Sequence, residues 1–299
     1  MKFINAAKFY KANVLILGGD LTGKMFVPVV KHPDGTYSAR FLGASHVIRA
    51  GGELESFEKR IRDVGYYPYR TDLEEMTLLE ADQARVEKVF DQLMRESIEK
   101  WLMAANERLK GTGIRCFISA GNDDKHSIDS ILEESGYTIY PEGKVIPIDE
   151  HHEMISCGYS NITPWRCPRD ITEEELLKKI DDMAANVKAM NSCIFNLHCP
   201  PYGTTIDSAP KLDDKMKPVM APGGSPLMVS VGSKAVRQAI ERYRPQLGLH
   251  GHIHESKGTF KIGRTLCINP GSEYTEGILK GFLVDLTEKG LTDYMFTAG

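Results

Sequence analysis

Four apolar, β-rich runs constrain this chain most, because each closes on a Gly- or Pro-rich turn carrying an oxygen or imidazole side chain. They are Val14-Leu15-Ile16-Leu17-Gly18-Gly19-Asp20, Cys116-Phe117-Ile118-Ser119-Ala120-Gly121-Asn122-Asp123, Cys193-Ile194-Phe195-Asn196-Leu197-His198-Cys199-Pro200-Pro201, and Leu247-Gly248-Leu249 leading into Gly251-His252-Ile253-His254. Unbroken apolar runs of this length are what strands buried on both faces require. Open α/β sheets gather their ligand sites beyond the carboxyl ends of such strands. His252 and His254 stand two apart, so on extended backbone their imidazoles point the same way. Singly, each of these residues reads more often as a turn-maker or a satisfied core group. Together they supply carboxylate, amide and imidazole with no cysteine, a donor set for a hard-to-borderline metal.

The order Gly-Asp, Gly-Asn, lone His, Gly-His-x-His resembles the signature of the calcineurin-like metallophosphoesterases, and the resemblance covers nearly the whole chain. It implies an α/β fold, a sandwich of two mixed β-sheets flanked by helices, holding two divalent metal ions about 3.5 Å apart. By that resemblance Asp20 bridges the ions, Asn122, His198 and His252 complete one site, and His254 belongs to the other. Asn269-Pro270-Gly271-Ser272 is the turn the family carries beside its active site, read here as structural support. The implied activity is hydrolysis of a phosphate monoester or diester by a metal-bridging hydroxide, whose pKa two cations bring near neutrality. Asp123 and His198 are the catalytic candidates. The N/O ligands suit manganese, iron or zinc without choosing among them. Cys199 invites a thiol-nucleophile reading, but beside Pro200-Pro201 its extended backbone turns it away from His198.

Two departures from the family pattern stand out. The opening Asp-x-His strand is missing: the chain runs from a helix-like Lys2 to Lys11 straight into the Asp20 strand. Asp124-Lys125-His126 and Asp149-Glu150-His151 match its letters but open a helix and form a hairpin turn. A late start or a truncation is the expected cause, and the chain as given is expected to hold one metal well. A metal-depleted binding or scaffold module is the rival reading. The second departure is Asp123, where the family has a His that contacts phosphate; a carboxylate there repels phosphate unless protonated or metal-bound.

Gly18-Gly19-Asp20-Leu21-Thr22-Gly23-Lys24 also matches a phosphate loop. Met25 replaces the expected Ser or Thr, and Phe26-Val27-Pro28-Val29-Val30 reads as a strand where a helix should follow. That strand pairs with Thr36 to Leu42 across the His32-Pro33-Asp34-Gly35 turn. The nucleotide triphosphatase reading is therefore disfavoured, with Lys24 kept as a candidate substrate contact.

The chain is expected to be a single domain, 1–299, enlarged by an insertion over 21–112. That insertion holds the hairpin, a helix from Leu54 to Val64, an aromatic loop Tyr66-Tyr67-Pro68-Tyr69, and a long amphipathic helix from Glu80 to Lys110. Later, Thr172 and Glu175 form a capping box, and Gly232-Ser233 caps a helix over Lys234 to Tyr243. In Asn161 to Asp170, Trp165 and Arg169 are candidates for stacking and bidentate phosphate contact. The long polar stretch Tyr202 to Met228 reads as a flap.

Composition fits these expectations. In 299 residues, 41% hydrophobic, the chain can bury a sizeable core. A net charge of −4 gives no footprint for nucleic acid, and the resemblance implies a small phosphoester as partner. Six cysteines without a C-x-x-C pair read as reduced core residues of a cytoplasmic protein. No membrane-length apolar run occurs, and homo-oligomerisation is left open.

Overall fold

The computed structural model describes residues 2–299. Backbone packing divides them into two compact units, one comprising the residues up to Asp20 with Ala105–Glu273 and Leu279–Gly299, the other Leu21–Ala104 with Tyr274–Ile278.

The first unit is built on a six-stranded mixed sheet in the order Gly258–Ile262, Thr265–Asn269, Leu247–Leu249, Ile194–Leu197, Glu153–Cys157, Val145–Pro147. Its four central strands run parallel and the two edge strands antiparallel. Strand side chains alternate between faces, and the apolar runs use both. Met154, Ile194, Leu247 and Ile268 project into one layer, shared with Val14, Ile16, Phe117, Phe282, Val284 and Leu286. That layer is closed by the parallel pair Val14–Gly18 and Arg115–Ser119 and by the hairpin Lys280–Thr287 and Gly290–Ala298. Ile155, Phe195, Leu197 and Cys267 face the opposite way, against Leu176, Ile180, Val236 and Ile240 of two helices. The result is an α/β protein with mixed sheets and flanking helices, as the resemblance implied.

Those helices begin where side-chain oxygens can cap them. Thr172 and Glu175 form the expected capping box on Glu173–Ala184, and Ser233 caps Lys234–Tyr243. Glu173 also accepts from Ser233 Oγ (2.6 Å) and Ala235 N (2.8 Å), fastening the two helix starts together.

In the second unit, strands Ala44–Ile48, Tyr37–Phe41, Phe26–Lys31 and Tyr67–Asp72 form a sheet in that order. Val27, Val29, Phe41 and Ile48 pack on Leu54, Phe57 and Ile61 of helix Gly52–Asp63. Several expectations need correction here. Tyr67, Pro68 and Tyr69 lie in an edge strand rather than a loop, where the missing N–H of Pro68 costs nothing. The long helix stands as Gln83–Leu109, beginning slightly later than Glu80 because Asp82, whose carboxylate accepts from Ala84 N (2.9 Å), caps its start; a separate helix, Leu73–Ala81, precedes it. In the first unit, the stretch Tyr202 to Met228 is not one loop, since Ser208–Pro210 pairs with Met228–Ser230. The phosphate-loop reading fails locally: Phe26–Lys31 is a strand, and Gly23 N–H already donates to Tyr67 Oη at 2.7 Å. Among the described residues no helix is long and apolar enough to cross a membrane.

Candidate metal centre

Register brings the polar strand ends together. Gly18 pairs with Ser119, so the turns carrying Asp20 and Asn122 leave the same end of their two-stranded sheet. In the larger sheet, His198 N donates to Cys157 O (2.9 Å) and Gly251 N to His198 O (2.9 Å), continuing the parallel pairing into the turns. The turns are tight. Asp20 (φ 52°) and His252 (φ 65°) both occupy the left-handed region, which is uncommon for residues with a Cβ and recurs at functional sites. A Cβ at Gly121 would lie 2.3 Å from Asp20 N and 2.8 Å from His198 Cε1, so only glycine permits this approach.

Asp20, His198 and His252 each offer a ligand atom within 4.8 Å of the others. His198 Nδ1 lies 2.9 Å from Gly18 O; a carbonyl only accepts, so Nδ1 carries the proton and Nε2 keeps its lone pair. That Nε2 is buried without a hydrogen-bond partner, 3.4 Å from Asp20 Oδ1. Asn122 is 2% exposed; its Nδ2 donates to Asp170 Oδ1 (2.9 Å), and its Oδ1 is buried without a partner. Leaving a buried acceptor unpaired costs about 1–3 kcal/mol. Two such acceptors beside a carboxylate are what a cation would satisfy, so the residues present fit a metal ion.

Burial, followed by neighbouring His198, lowers the His252 pKa to about 4, keeping it in the neutral form a metal needs. For His198 burial works downward as well, but the Asp20 carboxylate prevails and the pKa is raised, so a cation at Nε2 would compete there with a proton. His252 Nε2 lies 3.3 Å from Ser160 Oγ. His254 Nε2 is 3.9 Å from Asp20 Oδ2, on a side chain 35% exposed. Asn269, on the turn expected to give support, donates to Ile253 O (2.9 Å) between the two histidines.

The other candidates lie as follows. Asp123 N donates to Asp20 Oδ1 (3.4 Å), and its Oδ1 accepts the Cys167 thiol at 2.7 Å. Trp165 is 67% exposed. Lys24 is exposed in the turn before Phe26–Lys31 of the second unit. Arg169 requires correction: it is 1% exposed, and its guanidinium donates to Asp124 O, Lys125 O and Asp129 Oδ1, leaving no face for a substrate phosphate. Charge and a proline-flanked loop suggested a phosphate clamp; the side chain is instead an internal brace. Cys199 is buried, its thiol donates to Asn161 Oδ1 (3.0 Å), and burial pushes its pKa up to about 12, which suits no nucleophile. Asp170 was overlooked, because nothing in the sequence separates a carboxylate facing Asn122 from a turn-former.

No known family description matches the chain. A protein of Methanocaldococcus jannaschii, the uncharacterized MJ1162, is 31% identical over 150 residues, half of this chain. The match spans 59% of that relative's length. One solved crystal structure aligns with 90% of the chain and 84% of its own length at a TM-score of 0.51 and 15% identity. The crystal structure of TT1561 of Thermus thermophilus aligns with 67% of the chain and 79% of its own, at a TM-score of 0.41 and 13% identity. The first of these supports the α/β architecture over most of the chain.

Proposed function

We propose that this chain is a metal-dependent phosphoesterase acting on a small phosphate monoester or diester. The observation that carries the reading is the pair of buried, unpartnered acceptors, Asn122 Oδ1 and His198 Nε2, beside Asp20 and His252. A divalent ion held by these four would lower the pKa of water and offset phosphoryl charge. Asp20 also faces His254 through its second oxygen, so a second ion would share that carboxylate. The Gly18 carbonyl fixes His198 in the tautomer that leaves Nε2 open. Asp123, next to Asn122 and accepting a hydrogen bond from the Cys167 thiol, is the group assigned to the leaving-group proton, a role that requires its protonated form. Trp165 is the assigned substrate contact, an exposed ring on the loop that carries Cys167.

The test is metal content together with manganese-dependent hydrolysis of an aryl phosphate and an aryl phosphodiester, by the wild type and by Asp20→Ala. Bound metal and hydrolysis that both vanish in Asp20→Ala are expected, and the faster ester identifies the substrate class. Bound metal without hydrolysis of either ester would favour the binding-module reading. A chain that takes up no metal would remove the phosphoesterase reading.

A further inference from the structure

Asp170 stands outside the ligand set, yet both its oxygens are committed next to it. Oδ1 accepts from Asn122 Nδ2 at 2.9 Å. Oδ2 accepts from Thr163 N (2.8 Å), Thr163 Oγ1 (2.5 Å) and Cys167 N (2.9 Å). The backbone reinforces the placement, with Arg169 N donating to Asn122 O at 3.1 Å and Asp170–Ile171 paired with Ser160–Asn161. Asp170 therefore joins the 163–167 turn to one side-chain amide.

The two ends of that amide are chemically unlike. Its oxygen can bind a cation; its NH2 has only hydrogens to offer. A half-turn about the last side-chain bond would exchange them with little change in shape. In the wild type the exchange would set Asn122 Oδ1 against Asp170 Oδ1, two acceptors face to face. An ionised carboxylate accepts only, so it admits just one orientation.

We propose that Asp170 is a positioning residue for the metal centre: it fixes the polarity of the Asn122 amide so that the oxygen, and not the NH2, is presented as a ligand. The proposal rests on the metal-dependent reading above. It has a consequence that a purely structural role lacks, because the hydrogen bond can be reversed. In Asp170→Asn the three donors of Thr163 and Cys167 still demand an oxygen, so the new NH2 must face Asn122. Asn122 then turns its oxygen toward position 170 and its NH2 toward the metal site. In Asn122→Asp two carboxylates confront each other. With both substitutions together, the carboxylate at 122 accepts from the amide at 170 with one oxygen and keeps the other for the metal. Formal charge is then the same as in the wild type.

The experiment is calorimetric titration of the full chain with Mn2+ alone, for the wild type, Asp170→Asn, Asn122→Asp and the double variant, with metal-free thermal melts alongside. Asp170→Asn is expected to bind Mn2+ about 10–100-fold more weakly, the usual cost of losing a partner behind a metal ligand. The double variant is expected to recover most of that loss, including in its melting temperature if either single variant folds poorly. Unchanged affinity in Asp170→Asn, or a double variant no better than its singles, overturns the role of Asp170 while leaving the phosphoesterase reading intact. A wild type that binds no Mn2+ overturns both.

Discussion

Two clusters of buried polar groups, one in each unit, are treated in opposite ways. In the second unit Glu58, 7% exposed, is met by Arg70 through Nε (2.5 Å) and a second guanidinium nitrogen (3.1 Å), a two-pronged pairing that leaves neither carboxylate oxygen idle. In the first, Asn122 Oδ1 and His198 Nε2 are buried with nothing to accept from. One region uses its polar side chains to hold itself together. The other holds some in reserve at a cost in stability, in turns where Asp20 and His252 also take left-handed backbone. Unmet polar demand gathered beside a carboxylate, as distinct from single unpaired atoms such as Thr71 Oγ1 or His152 Nε2, marks the place where a ligand is expected.

Substitutions in each region sharpen this contrast. The largest effect on folding is expected from Phe57→Ala, which empties the packed layer between helix Gly52–Asp63 and its sheet. Denaturant unfolding should report a loss of about 3–5 kcal/mol, with Mn2+ affinity of the folded protein unchanged. A parallel loss of metal affinity would break the distinction between the regions. Gly121→Ala is next. Its methyl group would intrude on Asp20 and His198, lowering stability by about 1–3 kcal/mol and abolishing Mn2+ uptake. Retained uptake would show that the strand-end turns are looser than their geometry.

The most condition-dependent effect concerns Glu142 of the first unit. Burial pushes its pKa up to about 7, although Gly158 N–H donates to it at 2.8 Å and Arg169 and Lys179 pull the other way. A carboxyl raised on folding supports the fold most below its unfolded pKa and loses that contribution as pH rises toward and through 7. Glu142→Gln keeps an acceptor for Gly158 and removes the titration. Above pH 7 it should therefore be more stable than the wild type, with the advantage shrinking as pH falls toward 5. Thermal melts across that range would measure it, and a constant offset would refute it.

Sequence patterning reached the strand ends well and their surroundings poorly. Val14 to Gly18, Ile194 to Leu197 and the capping box at Thr172 are local matters, decided by apolar runs and by residues three apart. The candidate ligands were legible because each closes such a run. Asp82 moves the start of the long helix from Glu80 to Gln83, because a side chain that caps a new turn outweighs continuous helical periodicity. Arg169 was misread and Asp170 passed over for one shared reason. Whether a charged side chain faces solvent or braces a distant turn depends on partners such as Asp129 and Asn122, contributed from far along the chain. Tyr67 to Tyr69 read as a loop for a similar reason, since an edge strand is recognised only once its neighbour Phe26–Lys31 is known.

The candidate ligands also come from four turns spread along the sequence, so no short segment of the nascent polypeptide can gather them. Long loops must close first, and non-local closure is the slow part of folding. A cation that recognises this centre would thus bind the finished fold in preference to the unfolded chain, acting as a late lock rather than a template. At a free concentration one hundred times its dissociation constant, such a ligand adds about 2.7 kcal/mol to the native state. Supply of the ion would then govern how long the protein survives as well as whether it can work.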